Sequence, residues 1–542
     1  MLLFYNKEFN EIRGKILKTD QAYASLSKAQ KEAYACLLEN EEITMKLIHI
    51  HPHDNVAVAL EDIKEGEELS IDGFSVKALE PIPRGHKIAL TEIKKDSPVI
   101  KYGNPIALAS CDILKGSWVH TRNAHTGLSE ETDYVYDHKV YDLPVYSQEE
   151  RKNLTFQGYR RKDGRVGIRN ELWIIPIVGC VNGIAKLLVE NNQDLVKDPV
   201  DGLYCYPHPF GCSQLGDDLA QTKKLLTALV RHPNAGGVLC LGLGCENLQL
   251  DMFKEELGEY DPDRVKFLIC QDVEDELKEG ARLLRELASY ASKFHRETLP
   301  ASELVVGMKC GGSDGLSGIT ANPVVGRFSD RLISLGGSTV LTEVPEMFGA
   351  ENILFSRCKD KDTFDRAVEM VNDFKKYFTS HGQVVYENPS PGNKKGGITT
   401  LEDKSCGCVQ KGGSAQIVDV LHYAEPVTKK GLNLLSGPGN DLVSATDLTA
   451  AGAHLILFTT GRGTPFGAPA PTVKISTNTA LFKKKQDWID FNAGTVADGE
   501  ESIDEAGQRL LSYVLRVASG EETLAEKHGC REISIFKDGV VL

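Results

Sequence analysis

Apolar and polar residues alternate through MKLIHIHPHDNVAVALEDIKEG from Met45, and again through GHKIALTEIKKDSPVIKYGNPIALASCDILKGSWVH, with Gly or Pro at the turns. A period of two sends successive side chains to opposite faces of a strand, so residues 45–128 are predicted to form a small all-β domain. Residues 1–44 are rich in Lys, Glu, Ala and Leu and lack that alternation. They are expected to be an amino-terminal extension outside the native chain, with Met45 as the start. Residues 129–155 are polar and punctuated by Tyr and Pro without a helical period, which predicts an extended linker.

Beyond the linker the pattern changes. LWIIPIVGCVN precedes GIAKLLVENN, GGVLCLGLGC precedes ENLQLDMFKEEL, and VKFLICQDV precedes EDELKEGARLLRELASYASKF. Buried strands followed by amphipathic helices predict parallel α/β sheets. A second α/β unit is expected after NPSPGNKKGG, where GLNLLSGPGN and HLILFTTGRGTP again read as strands ending in glycine-rich loops. The expected organisation is multidomain α/β: a β domain at 45–128, a linker at 129–155, and α/β domains at 156–395 and 396–542 with mainly parallel sheets. In such sheets ligands gather at the carboxyl ends of the strands.

Charge narrows the partners. Sixty-two Lys plus Arg against 77 Asp plus Glu give a net charge of -15, which argues against a nucleic-acid partner and requires local cations for an anionic substrate. No stretch has the length and apolarity of a membrane helix, and the thirteen cysteines read as reduced thiols of a cytoplasmic protein.

Candidate chemistry concentrates in four loops: GCSQLGDD at 211–218, GLGCEN at 242–247, KCGGSDGLSGITANP at 309–323 and EDKSCGC at 402–408. None carries a CxxC pair, so any metal must be held by residues distant in sequence. GLGCEN and GPGND do not complete a dinucleotide fingerprint, and no GxxxxGK[ST] loop exists, which disfavours nicotinamide and nucleotide cofactors. Cys240 and Cys270 lie in apolar runs and read as small buried hydrophobes, and His454 reads as structural. His86 and His120 sit where two neutral imidazoles of the β domain could face a cleft. Arg169, Lys309, Lys404 and Arg462 stand in polar loops suited to holding a carboxylate, whereas Lys394 and Lys395 read as solvated.

Together RGHKIAL, GIRNELW, GCSQLGDD, RHPNAG, GLGCEN, CGGSDGLSGITANP, EVPEMFGAE, NPSPGNKKGG, EDKS and FTTGRGTP resemble the altronate and galactarate dehydratase family from about Met45 to Leu542, most closely its altronate branch. The resemblance implies an SAF-type (β-clip) amino-terminal domain. It also implies a hydro-lyase that converts D-altronate to 2-dehydro-3-deoxy-D-gluconate in hexuronate breakdown, with Fe(2+) as metal, Mn(2+) an alternative and an iron–sulfur cluster left open. Galactarate dehydration or a related sulfo-lyase reaction is the neighbouring reading, and a non-catalytic sugar-acid sensor the rival from another class.

The metal ligands expected are His86, Cys212, Cys245, Glu246, Cys310 and Cys408, with Cys408 preferred over Cys406. His86 and His120 are expected as an acid/base pair, with Arg169, Lys404 and Arg462 orienting the substrate carboxylate. Asp217 and Asp314 are further candidates to ligate or accept protons. Asn123, Gln214, Asn247, Ser313 and Asn322 are expected to bind substrate hydroxyls. The partners expected are a small sugar acid and a second copy of the chain.

Overall fold

The computed structural model describes residues 46–128 and 134–542, so the extension expected at 1–44 lies outside the described residues. Residues 47–125 build three small antiparallel sheets. The first holds Leu47–Ile48, Val56–Ala59, Lys87–Ala89 and Trp118–Val119, the second is the hairpin Glu68–Ile71 with Phe74–Lys77, and the third joins Pro98–Lys101, Asn104–Ala109 and Ala124–His125. Their turns repeat one local device. Ile63 to Gly66, Ile82 to Gly85, Ile93 to Asp96 and Ile113 to Gly116 each place a buried isoleucine three residues before a position with positive φ. Ile63 pairs with Ile82 and Ile93 with Ile113, so the isoleucines pin the turns while Gly or Asp allows the reversal.

The linker arm is held down by tyrosines. Tyr136 donates to the carbonyl of Cys358, Tyr134 donates to Glu351 and Arg331 donates to Tyr146, before Ser147 caps a short helix at Gln148–Asn153.

A first parallel sheet runs in the order Gly202–Cys205, Glu171–Pro176, Ala235–Gly242, Val265–Ile269. A second, also all parallel, has seven strands: Ile417–Leu421, Leu432–Leu435, Ser338–Leu341, Val305–Cys310, Leu455–Thr460, Thr472–Ser476 and Phe491–Asn492. The β-then-α pattern expected from the sequence is thus realised in both sheets. Val305–Cys310 and Ser338–Leu341 belong to the seven-stranded sheet, although both precede residue 396.

From Val305–Cys310 the chain first builds outward on one side of the sheet and then crosses to Leu455–Thr460 on the other. The carboxyl ends of these two neighbours therefore form the topological switch point, where a crevice opens because their connections leave in opposite directions.

Candidate metal centre

Cys310 ends the central strand, and Glu346 lies in the short helical turn after the neighbouring strand Ser338–Leu341. Cys408 closes the helix Leu401–Cys408. The three side chains meet: Cys310 Sγ is 3.4 Å from Cys408 Sγ and 3.0 Å from Glu346 Oε2, and Cys408 Sγ is 3.2 Å from that same oxygen. All three are buried.

Helix geometry explains which thiol arrives. Lys404 and Cys408 are four residues apart and share a face, whereas Cys406, two residues from each, points away into the apolar core. Lys404 Nζ donates to Glu346 Oε1 at 2.6 Å and to Asn388 Oδ1 at 3.2 Å.

Around this trio lie further charges: Lys309, expected from the sequence to hold a substrate carboxylate, is instead engaged by protein acids, and Glu343, Asp441 and Lys411 were not singled out. Lys309 Nζ bridges Glu343 at 2.7 Å and Asp441 at 2.8 Å, and Lys411 Nζ stands 4.0 Å from Glu343. Glu343 adopts the left-handed conformation at φ 69, which is costly for a residue with a Cβ. There its carboxylate accepts the backbone N–H of Cys310 at 2.8 Å and so fixes the strand end. Burial works to raise Glu346, but the ammonium groups of Lys404 and Lys411 outweigh it and hold the acid down at about 2. The hydrogen bond between the two thiols pulls Cys310 down to about 6 against its burial. A thiol primed to ionise beside a permanent carboxylate is a ready donor pair for a cation.

The donor set fits a divalent transition metal. Two sulfurs and one oxygen lie within 4.8 Å of one another, and ligands bound at about 2.3 Å around one ion stand roughly 3–4 Å apart. Three protein donors leave coordination positions for substrate or water, and two thiols select a softer ion than magnesium or calcium.

The β domain closes over this centre. Lys87 and Lys101, both buried, share the carboxylate of Asp403 at 2.7 and 3.1 Å, and Asp403 precedes Lys404 on the helix. Burial lowers Lys87 to about 8, assisted by the second cation, Lys101. Docking is backbone to backbone: a Cβ on Gly315 would lie 1.9 Å from the carbonyl oxygen of Gly85, and one on Gly397 2.2 Å from it. His86, Trp118 and His120 form an aromatic cluster with the two histidine rings 4.9 Å apart. His86 Nδ1 accepts from the Trp118 indole at 3.1 Å and Nε2 faces the carbonyl of Lys395 at 3.3 Å. His120 Nδ1 lies 3.4 Å from Thr399 Oγ1. Burial, then Lys87 and His86, lowers His120 to about 4, so its ring is neutral near pH 7.

Several expected site residues lie elsewhere. Arg169 spends all five N–H donors on Glu526, Ile168, Val517 and Glu521, which leaves none for a substrate carboxylate and makes it a structural clamp. Cys212, Cys245 and Glu246 sit in loops of the four-stranded sheet, and neither they nor His86 join the Cys310–Glu346–Cys408 group. Glu246 turns back to accept the N–H groups of Leu243 and Gly244. Gln214 and Asn247 likewise brace their loops by accepting from Gly211 and Ser213. Asp217 lies in the first turn of the helix Gly216–Arg231.

Asn123 holds its own turn through His120 N and the Trp118 carbonyl. Ser313, Asp314 and Asn322 do line the cavity that reaches Lys404 and Cys408, and the buried Ser313 hydroxyl has no protein partner. Arg462 stands in a separate cleft beside Asp314. Glu346 and Lys411 were missed, although the Pro-bracketed acids of EVPE directly after a strand were the available signal.

A buried group of two thiols and a carboxylate that could hold a metal ion, at the switch point of a parallel sheet and covered by a β domain, defines the class: an α/β protein with a candidate metal site. Three family profiles match the chain: "Altronate/galactarate dehydratase SAF domain" over residues 45–127, "D-galactarate dehydratase/Altronate hydrolase, second domain" over 158–292, and "D-galactarate/Altronate dehydratase, C-terminal" over 301–541. The chain belongs to the altronate and galactarate dehydratase family. It is 52% identical to the altronate dehydratase of Escherichia coli over 92% of this chain and 100% of that protein, and 52% identical to that of Bacillus subtilis over 91% and 99%. The galactarate dehydratase (L-threo-forming) of Escherichia coli is more distant, at 35% identity over 93% of this chain and 99% of that protein.

Proposed function

We propose that this chain is a hydro-lyase that dehydrates D-altronate to 2-dehydro-3-deoxy-D-gluconate. The observation that carries the reading is the meeting of Cys310, Glu346 and Cys408 beside Lys404, in a chain half identical to two altronate dehydratases. Iron(II) is the ion that suits the two thiols and the chemistry, with manganese(II) the alternative.

The C2 hydrogen of a sugar acid is weakly acidic because the neighbouring carboxylate is already an anion. Cys310, Glu346 and Cys408 would hold a divalent cation, which would supply Lewis acidity against the second charge developing on that carboxylate. The Glu346 carboxylate keeps Lys404 protonated against its burial, so the ammonium orients the substrate carboxylate rather than acting as a base. Ser313, whose buried hydroxyl has no protein partner, is the residue proposed to bind a substrate hydroxyl, whereas the Asn322 amide already donates to Gly407 and accepts from Thr459.

His120, neutral and tethered to Thr399, takes the C2 proton and returns it to the departing C3 hydroxyl, which leaves as water. The enol then tautomerises to the keto acid. His86, held by Trp118 and the Lys395 carbonyl, packs edge-on against the His120 ring and orients it. The reading places the enzyme in the cytoplasm as a homo-oligomer, the latter measurable by light scattering.

An anaerobic assay with added iron(II) on altronate, galactarate and sulfolactate, following the 2-keto-3-deoxy product, tests the substrate. Turnover of altronate above the others is the expected result; preference for either rival transfers the assignment to it.

A further inference from the structure

Next to the metal centre, on the far side of Asp314, lies an open cleft of about 410 Å³ whose basic side chains have no assigned role. Arg84 reaches it from the Ile82–Gly85 turn of the β domain, Arg462 from the loop after Leu455–Thr460, and Lys484 and Lys485 from the end of the helix Thr479–Lys484. Four cations from three separate segments thus meet at one mouth.

Among the described residues none of the four is within 4.0 Å of a carboxylate. Arg462 Nη1 donates to the carbonyl of Gly392 at 3.1 Å, Lys485 lies over the Trp488 ring, and the Nε of Arg84 is buried without an acceptor. The single acid of the cleft, Asp314, is already engaged by Thr477, Asn478, Ser317 and the backbone N–H of Leu316. In a chain of net charge -15, four cations against the single carboxylate of Asp314, which feels the charge of Arg84, leave this cleft with a local excess of positive charge suited to an anion.

Position supplies the second argument. The cleft sits at the switch point between Val305–Cys310 and Leu455–Thr460, and Asp314 lines both it and the cavity that holds Lys404 and Cys408. We propose that it is an oxyanion capture site, in which Arg84 and Arg462, with Lys484 and Lys485 at the rim, hold the carboxylate of the incoming sugar acid beside Asp314, on the approach to the metal centre. This rests on the sugar-acid reading above. Capture by charge accelerates encounter and is screened by salt, whereas the inner cavity is shielded from both effects.

The test compares the metal-loaded full-length enzyme with the Arg84→Gln and Lys484→Gln/Lys485→Gln variants. Sodium sulfate and the neutral polyol altritol serve as calorimetric probes, and altronate kinetics are measured at low and high salt. Sulfate binds the wild type and altritol does not; each variant weakens sulfate at least about tenfold, and kcat/KM falls by a similar factor at low salt, more than kcat, while losing its salt dependence. Arg84→Lys restores part of the loss, which a purely structural role would not allow.

Unchanged sulfate affinity in both variants, or equal binding of sulfate and altritol, overturns the proposal. Sulfate binding that depends on these residues without any turnover of altronate would instead sink the substrate reading and leave the capture site standing.

Discussion

Cys310 and Cys408, separated by 98 positions in the chain, bring their sulfurs within 3.4 Å, while Cys406 on the same helix is turned into the apolar core. Cys408→Ser or Cys310→Ser is therefore expected to abolish metal retention and to cut kcat at least about 100-fold with little change in circular dichroism. Cys406→Ala should keep its metal. Metal analysis after desalting distinguishes them, and equal loss in all three variants would contradict the assigned face.

Asp403 is the only carboxylate within ion-pair distance of the buried Lys87 and Lys101 among the described residues. Removing one partner of a buried network leaves charges without compensation, at a cost of about 3–5 kcal/mol. Asp403→Asn should lower the unfolding temperature by several degrees and increase proteolysis of the β domain.

Gly315 and Gly85 touch through their backbones, so Gly315→Ala places a methyl group against the Gly85 carbonyl. Displacement of the β domain is expected, with turnover lost while metal binding by Cys310, Glu346 and Cys408 survives. Activity near wild type would show that closure by this domain is dispensable.

His120→Ala is expected to reduce kcat by about 100-fold or more, in keeping with the size of general acid–base contributions. His86→Ala should cost less, because it acts through the placement of His120. Reversal of that order in steady-state kinetics would exchange their roles.

Stability should fall in mild acid. Burial lowers His208 and His454 to about 4. Above about pH 6.5 neither state binds the proton; between 6.5 and 4 the unfolded chain binds it and the folded one does not, so each histidine withdraws about 2 kcal/mol by pH 5. Urea midpoints at pH 7.5 and 5 measure this, and replacing His454 by Gln should flatten the difference.

Much of the architecture was legible. Alternation over 45–128 and buried strands followed by amphipathic helices announce their own structure, because backbone periodicity is a local property. The glycine-rich segment after a strand likewise pointed to the edge where Cys310 stands, whereas Lys404 and Cys408, read as loop residues, reach it on the helix Leu401–Cys408. The ledger of hydrogen bonds was not legible: Arg169 looks free in VGIRNE, yet Glu526, 357 residues later, occupies two of its donors.

What the sequence determined by itself is most of the strands and helices, with the helix Leu401–Cys408 an exception, and which chemical groups stand at their ends, since both follow from neighbours a few residues apart. Tertiary structure alone decided that Glu346 rather than Glu246 joins the thiols, that Cys212 and Cys245 stay with another sheet, and that strands on both sides of residue 396 share one sheet. The order of strands is set by packing between segments hundreds of residues apart, and that order, invisible to any local period, determines which strand ends become neighbours.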